Sequence, residues 1–532
     1  MTEFPAPTAD YKQGKRNAFT RFLDGVEWLG NLLPHPVTLF ALLAVGIVLL
    51  SGLFGWMGVA VEDPRPATAP NVAEDGMIRA VSLMNGDGVR RIFTGLVDNF
   101  TSFAPLGVVL VAMLGVGVAE KSGLLSAAVR SMVLGAPPKL VTVAIVFAGI
   151  ISNTASEVGY VVLIPLGGAI YYALGRHPLA GMAAAFAGVS GGYSANLLIG
   201  TIDPLLAGIT QEAAQLIDPD YTVLATANWY FMFASTFLVA IIGSLVSIYI
   251  VEPKLGPYDA SKADPDVLDE GMMQPLTDTE RKGLRWSGVA LLGVLAFMAL
   301  ALVPEWGVLR NAETGDRMDS PFFDGFVVWI LIFFITIGYT YGRVTGSMKT
   351  DRDVIDAMSE ALSALGLYIV LVFFAAQFVA FFGWTNLGAI TAVTGANFLV
   401  ESGMTGPTVF FAFILICAVI NLSLGSASAQ WAVTAPIFVP MLMLIGYAPE
   451  AIQAAYRIGD STTNIITPMM SYFGLILAWA TRYQKDLGVG TLIAMMLPYT
   501  IFFITAWSLF FYLWTFVFGL PVGPGSPTYY AP

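Results

Sequence analysis

Residues 152–165 read SNTASEVGYVVLIP, and residues 425–440 read GSASAQWAVTAPIFVP. Each is a small polar cluster followed by an apolar half-span that ends near a proline. HPLAGMAAAFAGVSGGYSANLLIGTID (177–203) follows the first, and APEAIQAAYRIGDSTTNIITP (448–468) follows the second. Both continuations start a helix at a proline and then break at Gly, Ser, Thr or Asn. The two blocks match by pattern, with a gap of about three residues near the second break. Paired, interrupted apolar segments in two halves of a chain point to a transporter binding site.

The surroundings place these blocks in a membrane. The chain has 532 residues, 56% hydrophobic and only 12% charged, against about a quarter charged in soluble domains. Spans of roughly 20 apolar residues, enough for a ~30 Å hydrocarbon core, fall near 36–58, 103–119, 228–251, 285–304, 324–342, 365–383 and 489–519. The regions 139–210 and 405–481 are apolar but interrupted. A net charge of −12 argues against nucleic acid, which needs a basic stripe. One cysteine, Cys417, and two histidines, His35 and His177, exclude an intramolecular disulfide and a Cys- or His-rich metal centre.

Lys/Arg bias sets the expected orientation. Basic residues cluster in 1–35, in 252–284 (Lys254, Lys262, Arg281, Lys282), in 343–352 and at Arg482–Lys485, whereas 520–532 carries no charge. The N-terminus is expected in the cytoplasm and the C-terminus in the periplasm, with an odd number of full spans. The stretch 1–35 reads as a cytoplasmic tail and not a cleavable signal, because the apolar run that follows is too long for one. The first half is then 36–251, with a re-entrant hairpin near 139–175. A cytoplasmic loop, 252–284, separates it from the second half, 285–519, with a hairpin near 407–446. The stretch 350–364 reads as an amphipathic helix on the cytoplasmic surface.

Non-helical backbone survives at membrane depth only when buried in protein or lining a cavity. Ser152-Asn153-Thr154 and Ser426-Ala427-Ser428 therefore read as hairpin tips, and Gly191-Gly192 and Thr462-Thr463-Asn464 as helix breaks. Helix N-termini facing one another there favour an anion, and freed carbonyls and Asn oxygens suit a hard cation. The plainer reading is that small residues only let helices pack closely. Between 402 and 481 the charges are Glu450, Arg457 and Asp460. Charge at mid-membrane is costly and usually functional. Arg457 and Asp460, three residues apart, share a helix face and can pair, either as transport residues or as a structural ion pair. Asp203 is the matching acid of the first block, or a helix-end acid at the interface. Trp431 belongs to an interfacial belt or, beside the tip, stacks on a ligand ring.

VEWLGNLLPHPVTLF (26–40), DPRP (63–66), GVAEKSGLL (117–125), SANLLIGTIDPLLAGIT (194–210) and the 425–469 block resemble the p-aminobenzoyl-glutamate transporter (AbgT) family. That resemblance implies an all-α polytopic membrane protein of about nine transmembrane helices and two re-entrant hairpins in an inverted repeat. It further implies a homodimer of the bacterial inner membrane. The implied activity is transport of p-aminobenzoyl-glutamate, or sulfonamide efflux, coupled to Na⁺ or H⁺ and without any other cofactor. Carried over motif by motif, the transport set is Asp203, Ser428, Trp431, Pro449, Arg457, Asp460 and Pro468. Asn153, Asn421, Asn464 and Asp460 are the candidates for a Na⁺ site. Arg457 is then expected to meet a substrate carboxylate and Trp431 the substrate ring.

Other readings are a Na⁺/dicarboxylate carrier of similar architecture, an intramembrane enzyme and a channel. The sequence holds neither HExxH nor GxxxxGK[ST], so zincin chemistry and ATP-driven transport lack their motifs.

Overall fold

The computed structural model describes residues 34–65, 73–154, 159–259 and 275–530. The expected roles of 1–33 and of most of the 252–284 loop lie outside these residues. The first span, α1 (Pro36–Met57), opens on His35, whose ring accepts from Val37 N, and closes on Gly58 in the left-handed region. A β-hairpin (Ala60–Glu62, Met77–Arg79) leads to α2 (Gly86–Thr101), capped by Asn85, and α3 (Ala104–Lys121). Helix α4 (Leu124–Leu134) then bends by 112° into the segment holding α5 (Val141–Ser152). Hydropathy gives no hint of that bend.

The first block follows. Helix α5 ends at Ser152, with Asn153 and Thr154 turning the chain. A widened turn at Gly159–Leu163 resumes into α6 (Ile164–Ala173). Helix α7 (Pro178–Phe186) starts on its proline, loosens over Ala187–Gly191, and breaks before α8 (Ile202–Ala214). The span α9 (Trp229–Val246) closes this half.

In the second half, α10 (Asp278–Leu302) opens with a Thr277/Glu280 capping box, and α11 (Phe326–Thr345) packs against both it and α3. The amphipathic stretch is α12 (Asp351–Ala364), started by a Thr350/Asp353 capping box. After α13 (Gly366–Trp384) and α14 (Leu387–Glu401) comes the second hairpin, α15 (Val409–Leu424) and α16 (Ala427–Leu444). Its turn is narrower than expected. Gly425, at φ +54°, makes the reversal, and Ser428 already lies in the first turn of α16. Helix α17 (Pro449–Asn464) runs through Thr462 and Thr463, so the break begins at Ile465, before α18 (Phe473–Tyr483). The last span is α19 (Val489–Tyr512).

Eight described helices are long and apolar enough to cross a membrane, or up to nine if the bent pair counts as one span. They include all seven spans expected from hydropathy. The eighth, α16, is an arm of the second hairpin. The fold is all-α and polytopic, with two hairpin-and-broken-helix blocks.

In each block an Asn amide ties the hairpin to the broken helix that follows it. Asn153 Nδ2 donates to Val189 O, 36 residues on, and Asn421 Nδ2 to Asp460 O, 39 residues on, both at 2.8 Å. Each tip also leans on its own break. A Cβ on Gly200 would lie 3.0 Å from Thr154 O, and one on Gly425 would lie 3.0 Å from Met469 C and O.

Candidate functional site

Both tips and both breaks open onto one cavity of about 490 Å³. Its wall includes Asn153 and Tyr160 from the first hairpin and Tyr193 and Thr201 from the first break. Gly425, Ser426, Ala427 and Ser428 come from the second tip, and Asn464, Ser471 and Tyr472 from the second break. The size lies within the roughly 300–1,000 Å³ of small-molecule sites. Tyr160 and Tyr472, one from each block, stack at 4.5 Å and 9°. No sequence signal singles out this pair, because its halves come from opposite ends of the repeat. The wall also carries Glu120, the one charged side chain among its described residues.

The second tip presents a helix N-terminus. N-cap Ser426 makes no side-chain cap bond, so the first N–H groups of α16 lack the partner a capping side chain supplies. Backbone donors and the helix dipole together suit an anionic group at this end.

Behind the wall lie the intramembrane charges. All sixteen residues of α17 are buried, and Gly459 allows the contact: a Cβ there would meet Ile414 O at 2.6 Å. Arg457 is 0% exposed. Its Nη1 stands 2.7 Å from Asp203 Oδ1, out of line for a hydrogen bond, and its Nη2 donates to Ser194 O at 3.1 Å. Asp203 Oδ2 accepts from Gly200 N at 2.7 Å, which folds the acid back onto its own break. The expected Arg457–Asp460 pair is therefore replaced by a pair between blocks. Arg457 does not reach the cavity wall to meet a substrate carboxylate.

Among the described residues, Asp460, also fully buried, has no hydrogen-bond partner on either carboxylate oxygen, and Asn421 Oδ1 has none either. Asn421 Nδ2 is shared among Asp460 O, Thr463 Oγ1 and Asn464 Oδ1, at 2.8, 3.0 and 2.7 Å. Three of the four expected cation ligands thus gather around Asn421. Asn153 stands in the other block, its amide engaged by Val189 O and Gly149 O. Unpartnered, desolvated oxygens are costly, and a hard cation or a proton relieves that cost.

Trp431 lies neither at the protein surface, where a belt would place it, nor in the described cavity wall. It is 0% exposed, stacks on Tyr456 at 4.2 Å, and donates its indole N–H to Thr210 Oγ1 at 2.8 Å. Ser428 lines the cavity. Pro449 starts α17, and Pro468 lies in the second break.

Spanning helices with two broken blocks facing a single cavity define the class: a polytopic membrane transporter. The chain belongs to the AbgT putative transporter family, whose model matches residues 21–530. It is 37% identical over 500 residues to the p-aminobenzoyl-glutamate transport protein of Escherichia coli K12, covering 94% of this chain and 95% of that one. Two solved structures share the fold. Neisseria gonorrhoeae MtrF, which illuminates a class of antimetabolite efflux pumps, has TM-score 0.89 and 60% identity over 95% of this chain and 100% of that one. The Alcanivorax borkumensis YdaH transporter has TM-score 0.85 and 45% identity over 92% and 100%.

Proposed function

We propose that this chain is a secondary transporter, driven by a Na⁺ or H⁺ gradient, for p-aminobenzoyl-glutamate and related aromatic anions of the folate pathway, with sulfonamide antimetabolites as export substrates. The observation that carries this reading is the cavity itself. Tyrosines offer an aromatic ring a stacking surface, and the open start of α16 with Ser426 and Ser428 offers a carboxylate its donors. Asn464 lies in the same wall, and Asn421 behind it donates to Asn464 Oδ1 and Asp460 O. A cation or proton there would neutralise Asp460, and through these two bonds Asn421 would carry its presence to the cavity wall. The protein is read as a homodimer of the bacterial inner membrane, with its N-terminus in the cytoplasm and its C-terminus in the periplasm.

The dicarboxylate carrier is the second reading. p-Aminobenzoyl-glutamate also carries two carboxylates, so what favours it over a plain dicarboxylate is its aromatic ring, for which Tyr160 and Tyr472 in the wall offer a surface. Proteoliposomes with Na⁺ and H⁺ gradients imposed separately test both readings. Uptake or release of labelled p-aminobenzoyl-glutamate that follows one gradient and resists excess succinate is the expected result. Movement of succinate alone would favour the carrier.

A further inference from the structure

The transport reading leaves Trp431 without a part, since neither face of its ring reaches the cavity. One face is covered by Tyr456, and the indole nitrogen is spent on Thr210. We infer that Trp431 is a positioning residue, and that Thr210, Tyr456 and Gln453 form with it an anchor fixing the cavity-facing start of α16. This inference rests on the reading of that helix start as the anion's host.

The anchor grips α16 at two points. Trp431 sits about one turn beyond Ser428. Tyr456 Oη donates to Ala427 O, the first residue of the helix, at 2.6 Å. Both points are held from outside the hairpin. Thr210 lies on α8, in the other block, where its one hydroxyl proton faces both Gln453 Oε1 on α17 at 2.6 Å and Leu206 O at 2.8 Å. Gln453 Nε2 donates to Asn228 Oδ1, at the start of α9, at 2.8 Å, and Asn228 Nδ2 donates to Glu450 O at 2.8 Å. One buried chain of hydrogen bonds therefore joins the second tip to α8, α9 and α17. The rest of α16 is poorly suited to hold the tip, because Pro436 and Pro440 inside it remove two backbone donors. A ring stacked on the ligand would tolerate loss of Thr210. An anchor does not, because the indole N–H is then buried unpaired.

Two measurements separate these roles. The first is the rate at which maleimide labels the thiol introduced by Ser428→Cys in a Cys417→Ser background, which reads the tip without any substrate. The second is KM for p-aminobenzoyl-glutamate. Thr210→Val, which leaves the indole N–H buried and unpaired, and Trp431→Phe, which removes that N–H and its tie to Thr210, are each expected to raise the labelling rate and to raise KM by about tenfold. The double variant should be no worse than either single, since both remove the same contact. Thr210→Ser, which keeps the hydroxyl, should match the wild type. Wild-type labelling of Thr210→Val, or a double effect equal to the product of the singles, overturns the anchor. If Thr210→Val fails to fold, Tyr456→Phe takes its place: it keeps the stack and loses the bond to Ala427 O, and wild-type labelling there is equally fatal. A wild-type protein that moves no p-aminobenzoyl-glutamate overturns the substrate reading instead, and the labelling rates still decide the anchor.

Discussion

Arg457 Nη1 stands 2.7 Å from Asp203 Oδ1, and the two residues come from different blocks. Asp460, three positions along Arg457's own helix, keeps both oxygens without a hydrogen bond. The cation of this bundle thus ties the blocks together and leaves one acid open.

Removing one partner of that tie leaves a buried charge uncompensated. Asp203→Asn and Arg457→Met should each lose about 3–5 kcal/mol of stability. The double change Asp203→Leu with Arg457→Met should recover most of it, because an apolar pair of similar volume needs no compensation. Melting temperatures in detergent check this; a double variant as unstable as the sum of the singles would refute it.

Asp460→Asn should behave in the opposite way. With no hydrogen bond to lose and a costly buried charge removed, the variant should melt at or above the wild-type temperature while losing gradient-driven accumulation in vesicles. Accumulation at the wild-type rate with the same ion dependence would show that the acid is structural.

The stacked pair Tyr160–Tyr472 predicts a graded series. Tyr→Phe at either position keeps the ring and should leave KM for an aromatic substrate within about twofold. Tyr→Ala should raise KM about tenfold, near the worth of one aromatic contact. Calorimetric affinities that do not distinguish Phe from Ala would remove the pair from the site.

Outside the spans, Asp63 predicts a pH dependence. Burial pushes its carboxyl up, but hydrogen bonds from the Arg65 side chain and backbone N–H outweigh this and hold it below the usual carboxylate range. A lowered folded value stabilises the protein above the unfolded value of about 3.9, and that contribution is lost as pH falls through the folded value. Since Arg65 Nη1 also donates to Ile217 O at 2.9 Å, Asp63→Asn should loosen this loop at neutral pH. It should also weaken the fall in melting temperature below about pH 4. An unchanged acid limb in the variant would count against the assignment.

Orientation follows from the Lys/Arg bias. Reporter fusions after Pro532 should be active in the periplasm, and fusions within 260–274 in the cytoplasm. Both fusions reporting from one side would contradict this.

The sequence alone determined the membrane class, the seven continuous spans and the neighbourhood of each interruption, while packing moved the second break on to Ile465 and narrowed the second turn to Gly425. Length and apolar composition decide spanning, and polar clusters inside apolar runs decide interruption; both are local properties. The identity of the buried charges was equally legible. Their pairing was not. Spacing along α17 says that Arg457 and Asp460 share a face, but only the packing of α17 against the first break brings Asp203 within reach. Trp431 shows the same limit. Its place three residues after Ser428 suggested a ligand contact, until Tyr456 on α17 and Thr210 on α8 closed around it. The stacking of Tyr160 on Tyr472 joins a hairpin of one block to a broken helix of the other, and no local pattern encodes such a meeting. Partners from distant elements are chosen by how the helices pack, so the cavity and its anchor exist only in the tertiary structure.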